Sequence, residues 1–149
     1  MVASHIHNPF HEIEVWEEGP CRNFWMRTNI WSLGDGKLYF GHSGYKCPNA
    51  RSRTHTMTLV HSKGIHVLDV GFCACLDPDT HAAVDDMYQL VPHGFWPASW
   101  KAPDTAFTME VLKEFNEWSQ VSQVSGYDMW RRLMLKTDSV LSDEVPVSQ

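Results

Sequence analysis

Gly64–Cys75 reads GIHVLDVGFCAC, and the rest of the chain is arranged around this stretch. Val67 to Cys73 is almost wholly apolar or β-branched, the composition of a buried strand. A second apolar run, Met57-Thr-Leu-Val60, precedes it, with Ser62-Lys63-Gly64 between the two. The glycine can take the positive φ that a tight hairpin turn needs. Thr56–His61 and Ile65–Cys73 are therefore expected to form one β-hairpin whose open end carries Cys73 and Cys75. On an extended strand, residues two apart point to the same face, so a C-x-C pair presents its thiols together. Two thiolates on one face are half of a tetrahedral zinc site. His42 and Cys47, in GHSGYKCP, are the candidate second half.

Outward from the hairpin, Glu12–Trp16 alternates, with Ile13 and Val15 on one face of a half-buried strand. Gly19-Pro20 marks a turn. Phe24–Ile30 reads equally as a strand or a short helix. Leu33–Gly36 is a turn, Lys37–Gly41 a third strand and Ser43–Thr54 a loop. After the hairpin, Leu76–Asp86 begins as a turn and leads toward a short helix. Tyr88–Val91 and Phe95–Ser99 read as short extended pieces, with Pro97 confining the second to an edge or an end. Beyond Pro103 the period changes. Phe107, Val111, Leu112, Phe115 and Trp118 recur at helical spacing, with Asp104 or Thr105 as cap, and this stripe is expected to face the sheet. Ser125-Gly-Tyr-Asp128 has the form of a capping box. Tyr127, Trp130 and Leu133 or Met134 then make the apolar face of a second, shorter helix. Strands come first and helices last, which is the order of an α+β domain. The expected architecture is a small β-rich, zinc-stabilised domain over residues 1–138, with a central hairpin, two C-terminal helices and a polar tail at 139–149.

The bulk properties narrow the function. The 149 residues carry a formal charge of −6, so the chain as a whole does not attract phosphate backbones. No apolar run approaches the length of a membrane span. MVASHIHNPFH has neither a charged nor an apolar leader region, so the chain is expected to be intracellular rather than secreted. In that setting four cysteines point to thiols or a metal rather than disulfides, and nine histidines lean toward the metal.

Five pieces in order, NPFHEIEVW, GHSGYKCP, GIHVLDVGFCAC, QLVPHGFWPASWKAPDTAFTMEVL and SGYDMWRRLMLKTD, resemble the CxC-type cysteine-cluster domain associated with KDZ transposases of fungi. The resemblance runs from about His5 to about Asp138, and the specificity lies in the order of the pieces rather than in any one. It implies a zinc-binding module of a mobile-element protein, N-terminal to a transposase core. The expected partners are that core or DNA, and the expected location is the nucleus. His42, Cys47, Cys73 and Cys75 match the family's ligand positions. Two departures stand out. The family's C-x-x-C before the first histidine has no counterpart in these residues, so the upstream half-finger is expected to be missing, and no transposase catalytic domain is expected to follow.

Each candidate has a plainer reading. Spacing alone leaves Cys73 and Cys75 open to being small buried hydrophobes, with His42 a surface histidine. His66 is a second candidate for the fourth ligand, ranked lower because it follows the turn. The resemblance makes His5 and His11 a partial second metal site; without their cysteines they are expected to be solvated. Cys21 is expected to be a free thiol. Lys46, Arg51 and Arg53 are the best local group for nucleic-acid contacts, with Arg131 and Arg132 the other basic pair. Phe95, Trp96 and Trp100 could stack bases, but core and hairpin packing is the favoured reading because few basic residues flank them. The expected role is non-catalytic, with no small-molecule substrate in view. The alternatives are a remnant of transposase catalysis using Asp69, a hydrolytic zinc site, or a degenerate functionless fragment. Asp69 lacks the strand-and-helix context that would bring further carboxylates to a metal pair.

Overall fold

The computed structural model describes residues 10, 12–19, 23–29, 35–49, 52–79 and 81–137. His5, His11, Cys21, Arg51 and the 139–149 tail, all singled out from sequence, lie outside them.

The expected hairpin is the centre of the fold. β4 (Arg53–His61) pairs antiparallel with β5 (Gly64–Phe72), Met57 opposite Leu68 and His61 opposite Gly64, around a turn at Ser62-Lys63. Strand alternation divides their apolar residues between two cores. Met57 and Leu59 of β4, with Leu68, Val70 and Phe72 of β5, join Phe10, Phe40, Leu90, Phe95 and Ala106. Val60 and Ile65 turn the other way and join Val111, Met129 and Leu133. Both faces are covered near the turn, which is why the two strands read as continuous apolar runs rather than as clean alternation.

Around the hairpin stands a mixed five-stranded sheet in the order β3-β5-β4-β7-β6. β3 (Lys37–Tyr39) lies parallel to β5 at one edge. β7 (Thr105–Thr108) lies parallel to β4, and β6 (Phe95–Pro97) closes the other edge antiparallel to β7, where Pro97 costs no interior ladder bond. β1 (Glu12–Glu18) and β2 (Asn23–Asn29) form a separate two-stranded sheet, which settles as a strand the described part of the open Phe24–Ile30 reading. The architecture is α+β.

The helices differ from expectation in three places. Tyr88–Val91 is not extended. α1 (Asp86–Leu90) and a 3-10 turn at Val91–His93 occupy it, with Gln89 and Leu90 drawn inward while the preceding Tyr88 stays exposed on the other side of the turn. The helix after Pro103 starts later than its periodicity suggests. Thr105–Thr108 pairs with β4 and β6 as a strand, so Phe107 belongs to β7. α2 runs Met109–Ser122, and its cap is Thr108, whose hydroxyl accepts the Val111 N–H at 3.3 Å, rather than Asp104 or Thr105. Trp118 is 42% exposed and does not face the sheet. The Arg132 guanidinium sits 4.1 Å from its ring centroid and donates to Glu114 at 2.8 Å, so this tryptophan ties α2 to α3 from outside.

α3 (Gly126–Thr137) opens on the expected capping box. Ser125 donates to the Asp128 carboxylate from both its hydroxyl and its N–H, and the Asp128 N–H returns to the Ser125 hydroxyl. Its buried face is Met129 and Leu133, while Tyr127 points outward. The far end of α3 docks on the β4–β5 turn. Thr137 Oγ1 accepts the Ile65 N–H at 2.6 Å, and Lys136 Nζ donates to the Ser62 carbonyl at 2.6 Å. Gly64, at φ +150°, is needed there because a Cβ would meet Thr137 Oγ1 at 2.7 Å. No helix of the described residues is long and apolar enough to cross a membrane.

Candidate metal centre

The open end of the hairpin gathers four residues from three separate segments. One ligand atom each from His42, Cys47, Cys73 and Cys75 lies within 4.8 Å of all the others. Cys47 Sγ is 3.6 Å from Cys73 Sγ and 3.7 Å from Cys75 Sγ. His42 Nε2 is 3.2 Å from Cys73 Sγ and 3.5 Å from Cys75 Sγ. A tetrahedron with bonds of about 2.3 Å to sulfur and about 2.0 Å to nitrogen has edges of about 3.5–3.8 Å. These separations fit one small ion, so the group can hold a metal.

The two cysteines meet differently from the way strand alternation suggested. β5 ends at Phe72, and Cys73-Ala-Cys75 is already loop. The chain bends around the first sulfur, so that the Cys75 N–H points at Cys73 Sγ at 3.3 Å. Two amide side chains fix this bend. Gln89, buried on α1, accepts the Cys73 N–H at 2.7 Å and donates to the Cys73 carbonyl at 3.0 Å, as a neighbouring strand would. It also donates to the Val84 carbonyl at 3.0 Å, holding the loop before α1 to the same point. Asn49 donates from its side chain to the Ala74 carbonyl at 2.9 Å and from its backbone to Cys47 Sγ at 3.4 Å. It thus joins the Cys47 loop to the C-x-C bend.

The histidine arm depends on backbone conformation. The 3-10 turn His42–Gly44 follows β3, with the Gly44 N–H bonded to the Gly41 carbonyl at 3.0 Å. Gly41 has φ +88°, and a Cβ there would stand 3.0 Å from Cys73 Cβ. Only glycine lets the backbone turn this close to the cysteine. His42 itself sits at φ +43°, a left-handed conformation that non-glycine residues adopt at a cost and that recurs at functional sites.

Electrostatics follows from the crowding of the sulfurs. Burial pushes the Cys47 thiol up, but N–H groups of Ala74 and Asn49 and hydrogen bonds with Cys73 and Cys75 outweigh it and bring it down to about 6. Cys75 moves the other way, to about 11, held up by its hydrogen bonds with Cys73 and Cys47, by burial and by their charge. Three sulfurs this close cannot all carry charge without a cation among them. A divalent ion would supply that cation, and the backbone N–H groups already aimed at Cys47 and Cys73 suit thiolate acceptors.

The other candidates are placed elsewhere. His66 sits opposite Leu59 near the turn, 5.0 Å from the Phe10 ring, so His42 is the imidazole at the cluster. Lys46 is exposed, beside Cys47 in the chain. Arg53 donates to Asp86 at 2.6 Å, with its side chain still exposed. Asp69 accepts from Thr56 at 2.8 Å and lies 3.9 Å from Lys37 Nζ. Phe95 is core, whereas Trp96 and Trp100 are exposed, against the packing reading of those two. Gln89, Asn49 and Gly41 went unnoticed in the sequence. Gly41 and Asn49 flank His42 and Cys47 closely enough to have been suspected, but nothing in the pattern pointed to Gln89.

No curated protein and no solved structure matches the chain significantly. Residues 33–141 of the 149 match the model of a family described as a CxC2-like cysteine cluster associated with KDZ transposases. The span contains all four clustered residues, Gln89 and the whole five-stranded sheet, and it begins after the NPFHEIEVW piece and the β1–β2 hairpin. The chain belongs to this family of transposase-associated cysteine clusters.

Proposed function

We propose that His42, Cys47, Cys73 and Cys75 hold one zinc ion as a closed structural site. On this reading the chain is a non-catalytic module of a transposase-related protein that mediates contacts with DNA or protein in the nucleus. The observation that carries the metal reading is the match between the sulfur–sulfur separations of 3.6 and 3.7 Å and the edge of a zinc–thiolate tetrahedron. Three thiolates and an imidazole form a soft set suited to zinc rather than to magnesium or calcium. Four protein ligands leave no position for a reactive water, which favours structure over hydrolysis. The family's association with transposases supports a partner of that kind, and Lys46 is the exposed cation nearest the cluster in the chain.

In this reading the ion joins the end of β3 to the end of β5, segments 31 positions apart at His42 and Cys73. It therefore contributes to folding and does not merely decorate a finished fold. The two apolar cores are built without it, so chelation should lower the thermal midpoint while leaving a cooperative transition. Melting of wild type, Cys73→Ser and Cys21→Ser with and without chelator tests this. Cys73→Ser should reproduce the chelator's effect in untreated protein, and Cys21→Ser should behave as wild type. A wild-type midpoint indifferent to chelator, with Cys73→Ser melting like wild type, refutes the structural role.

A further inference from the structure

The turn that closes the β4–β5 hairpin, at the end away from the metal centre, is tied to both α2 and α3. His61, the last residue of β4, is 5% exposed, with its ring stacked on Phe10 at 4.4 Å and 20°. Its Nδ1 accepts the Lys63 N–H at 3.2 Å, which fixes the neutral tautomer with its proton on Nε2, 3.3 Å from Glu110 Oε2 of α2. The Ser62 hydroxyl donates to the other oxygen of the same carboxylate. From α3, Lys136 donates to the Ser62 carbonyl and Thr137 accepts the Ile65 N–H. A carboxylate thus holds the turn to α2, and a cation with its neighbouring hydroxyl holds it to α3.

We propose that His61 is an acid-operated latch, whose protonation draws the turn toward Glu110 and releases the C-terminal end of α3 from the hairpin. A second proton can enter the ring only at Nδ1, where the Lys63 N–H already points. Imidazolium has two donors and no acceptor, so the Lys63 N–H loses its partner. The new N–H faces Ser62 Oγ at 3.5 Å, the outer limit of a hydrogen bond. The charges packed around the ring then sort by sign. Glu110 of α2 attracts the cation, whereas Lys63 of the turn and Lys136 of α3 repel it. His66 of β5 is a further titratable neighbour, 5.0 Å from the same Phe10 ring. Burial holds the His61 pKa below 6.5, so the latch is closed at neutral pH and opens as pH falls below that value. The packing beneath α3 is loose enough to let it go. A cleft of about 330 Å³ lies between α2, α3 and the sheet, lined by Val60, Phe107, Val111, Met129 and Leu133 among others, where close-packed interiors keep few voids larger than a water. Opening uncovers Ile65 and Leu133, both buried in the closed form. The inference rests on neither the metal centre nor the partner reading.

The test is amide hydrogen exchange on the full, metal-loaded chain over a pH series descending through 6.5, with rates corrected for the intrinsic pH dependence of exchange. Protection of the Lys63 and Ile65 amides should fall about tenfold per unit as pH drops from 6.5 toward the lower pKa of the closed form. The amides of Val70 in the sheet and Val111 in α2 should stay protected over the same range. His61→Asn, which keeps an acceptor for the Lys63 N–H but takes up no proton, should abolish the fall. It has the same metal centre, so the comparison removes any contribution from zinc loss. Glu110→Gln, which keeps an acceptor for Ser62 but withdraws the charge that holds the open form to α2, should move the fall to lower pH. Lys63 and Ile65 protection that does not change with pH, that is lost together with Val70, that falls equally in His61→Asn, or that falls at the same pH in Glu110→Gln overturns the proposal.

Discussion

Replacing Gln89 by leucine isolates what holds the C-x-C bend in place. Leucine is close to glutamine in size but cannot bond, so the variant removes three hydrogen bonds at once, at 2.7, 3.0 and 3.0 Å. It orphans the Cys73 N–H and the carbonyls of Cys73 and Val84. An orphaned buried polar group costs about 1–3 kcal/mol. Cys73 and Val84 are only half-buried, so water recovers part of the loss, and the added apolar surface of leucine offsets a little more. The net expectation is a destabilisation of about 2–3 kcal/mol, measured by urea unfolding with zinc in excess and an unchanged slope. A second readout separates positioning from plain stability. A residue that orients a ligand changes metal affinity, here by about 10-fold or more in competition with a chromophoric chelator. Gln89→Glu keeps the acceptor for the Cys73 N–H but loses both donations, so it should fall between wild type and leucine. If Gln89→Leu leaves both the urea midpoint and the affinity unmoved, the bend is held by the metal ligands alone and this reasoning is wrong.

Other expectations follow from single contacts. Gly41→Ala forces a Cβ to 3.0 Å from Cys73 Cβ at φ +88°, and should cost about 1–2 kcal/mol in urea while weakening zinc binding in the same competition assay. His61 is buried with Nδ1 accepting the Lys63 N–H at 3.2 Å and Nε2 3.3 Å from Glu110, and burial holds its pKa below 6.5 despite that carboxylate. The unfolded chain therefore takes up this proton first, so stability is present above pH 6.5 and declines as pH falls through it. Glu110, lowered chiefly by the Ser62 hydroxyl, adds a loss of the same sign below its ordinary 4.5. Urea midpoints of wild type and His61→Gln against pH should show the shallower acid decline in the variant. Trp118→Ala should cost only about 1 kcal/mol in a thermal melt, the scale of an exposed cation–π contact, rather than the several of a buried aromatic.

The hairpin was legible because Met57–Val60 and Val67–Phe72 are long apolar runs with a turn sequence between them, and the capping box at Ser125 because its signal is local. The cysteines and His42 were legible as a group because their residue types are rare and their arms paired. β7 was not: Thr105–Thr108 is four residues long, and Phe107 falls in phase with the helix that follows, so one period ran on into the other. Trp118 shares that phase but stays exposed, with Arg132 over its ring. α1 was missed because five residues are too few to show a period, and half of its inward face, beside Leu90, is a glutamine. Gln89 illustrates the general limit: a polar residue that serves a distant backbone leaves no mark in local pattern, since its partners lie 16 positions away at Cys73.

The most direct measurement is the metal stoichiometry of the intact chain, by native mass spectrometry and elemental analysis of protein purified without chelator. The account predicts one zinc per chain bound through the His42, Cys47, Cys73 and Cys75 group, retained through gel filtration and lost in Cys73→Ser. A wild-type chain that is folded, free of metal and unable to take up zinc when it is offered contradicts it.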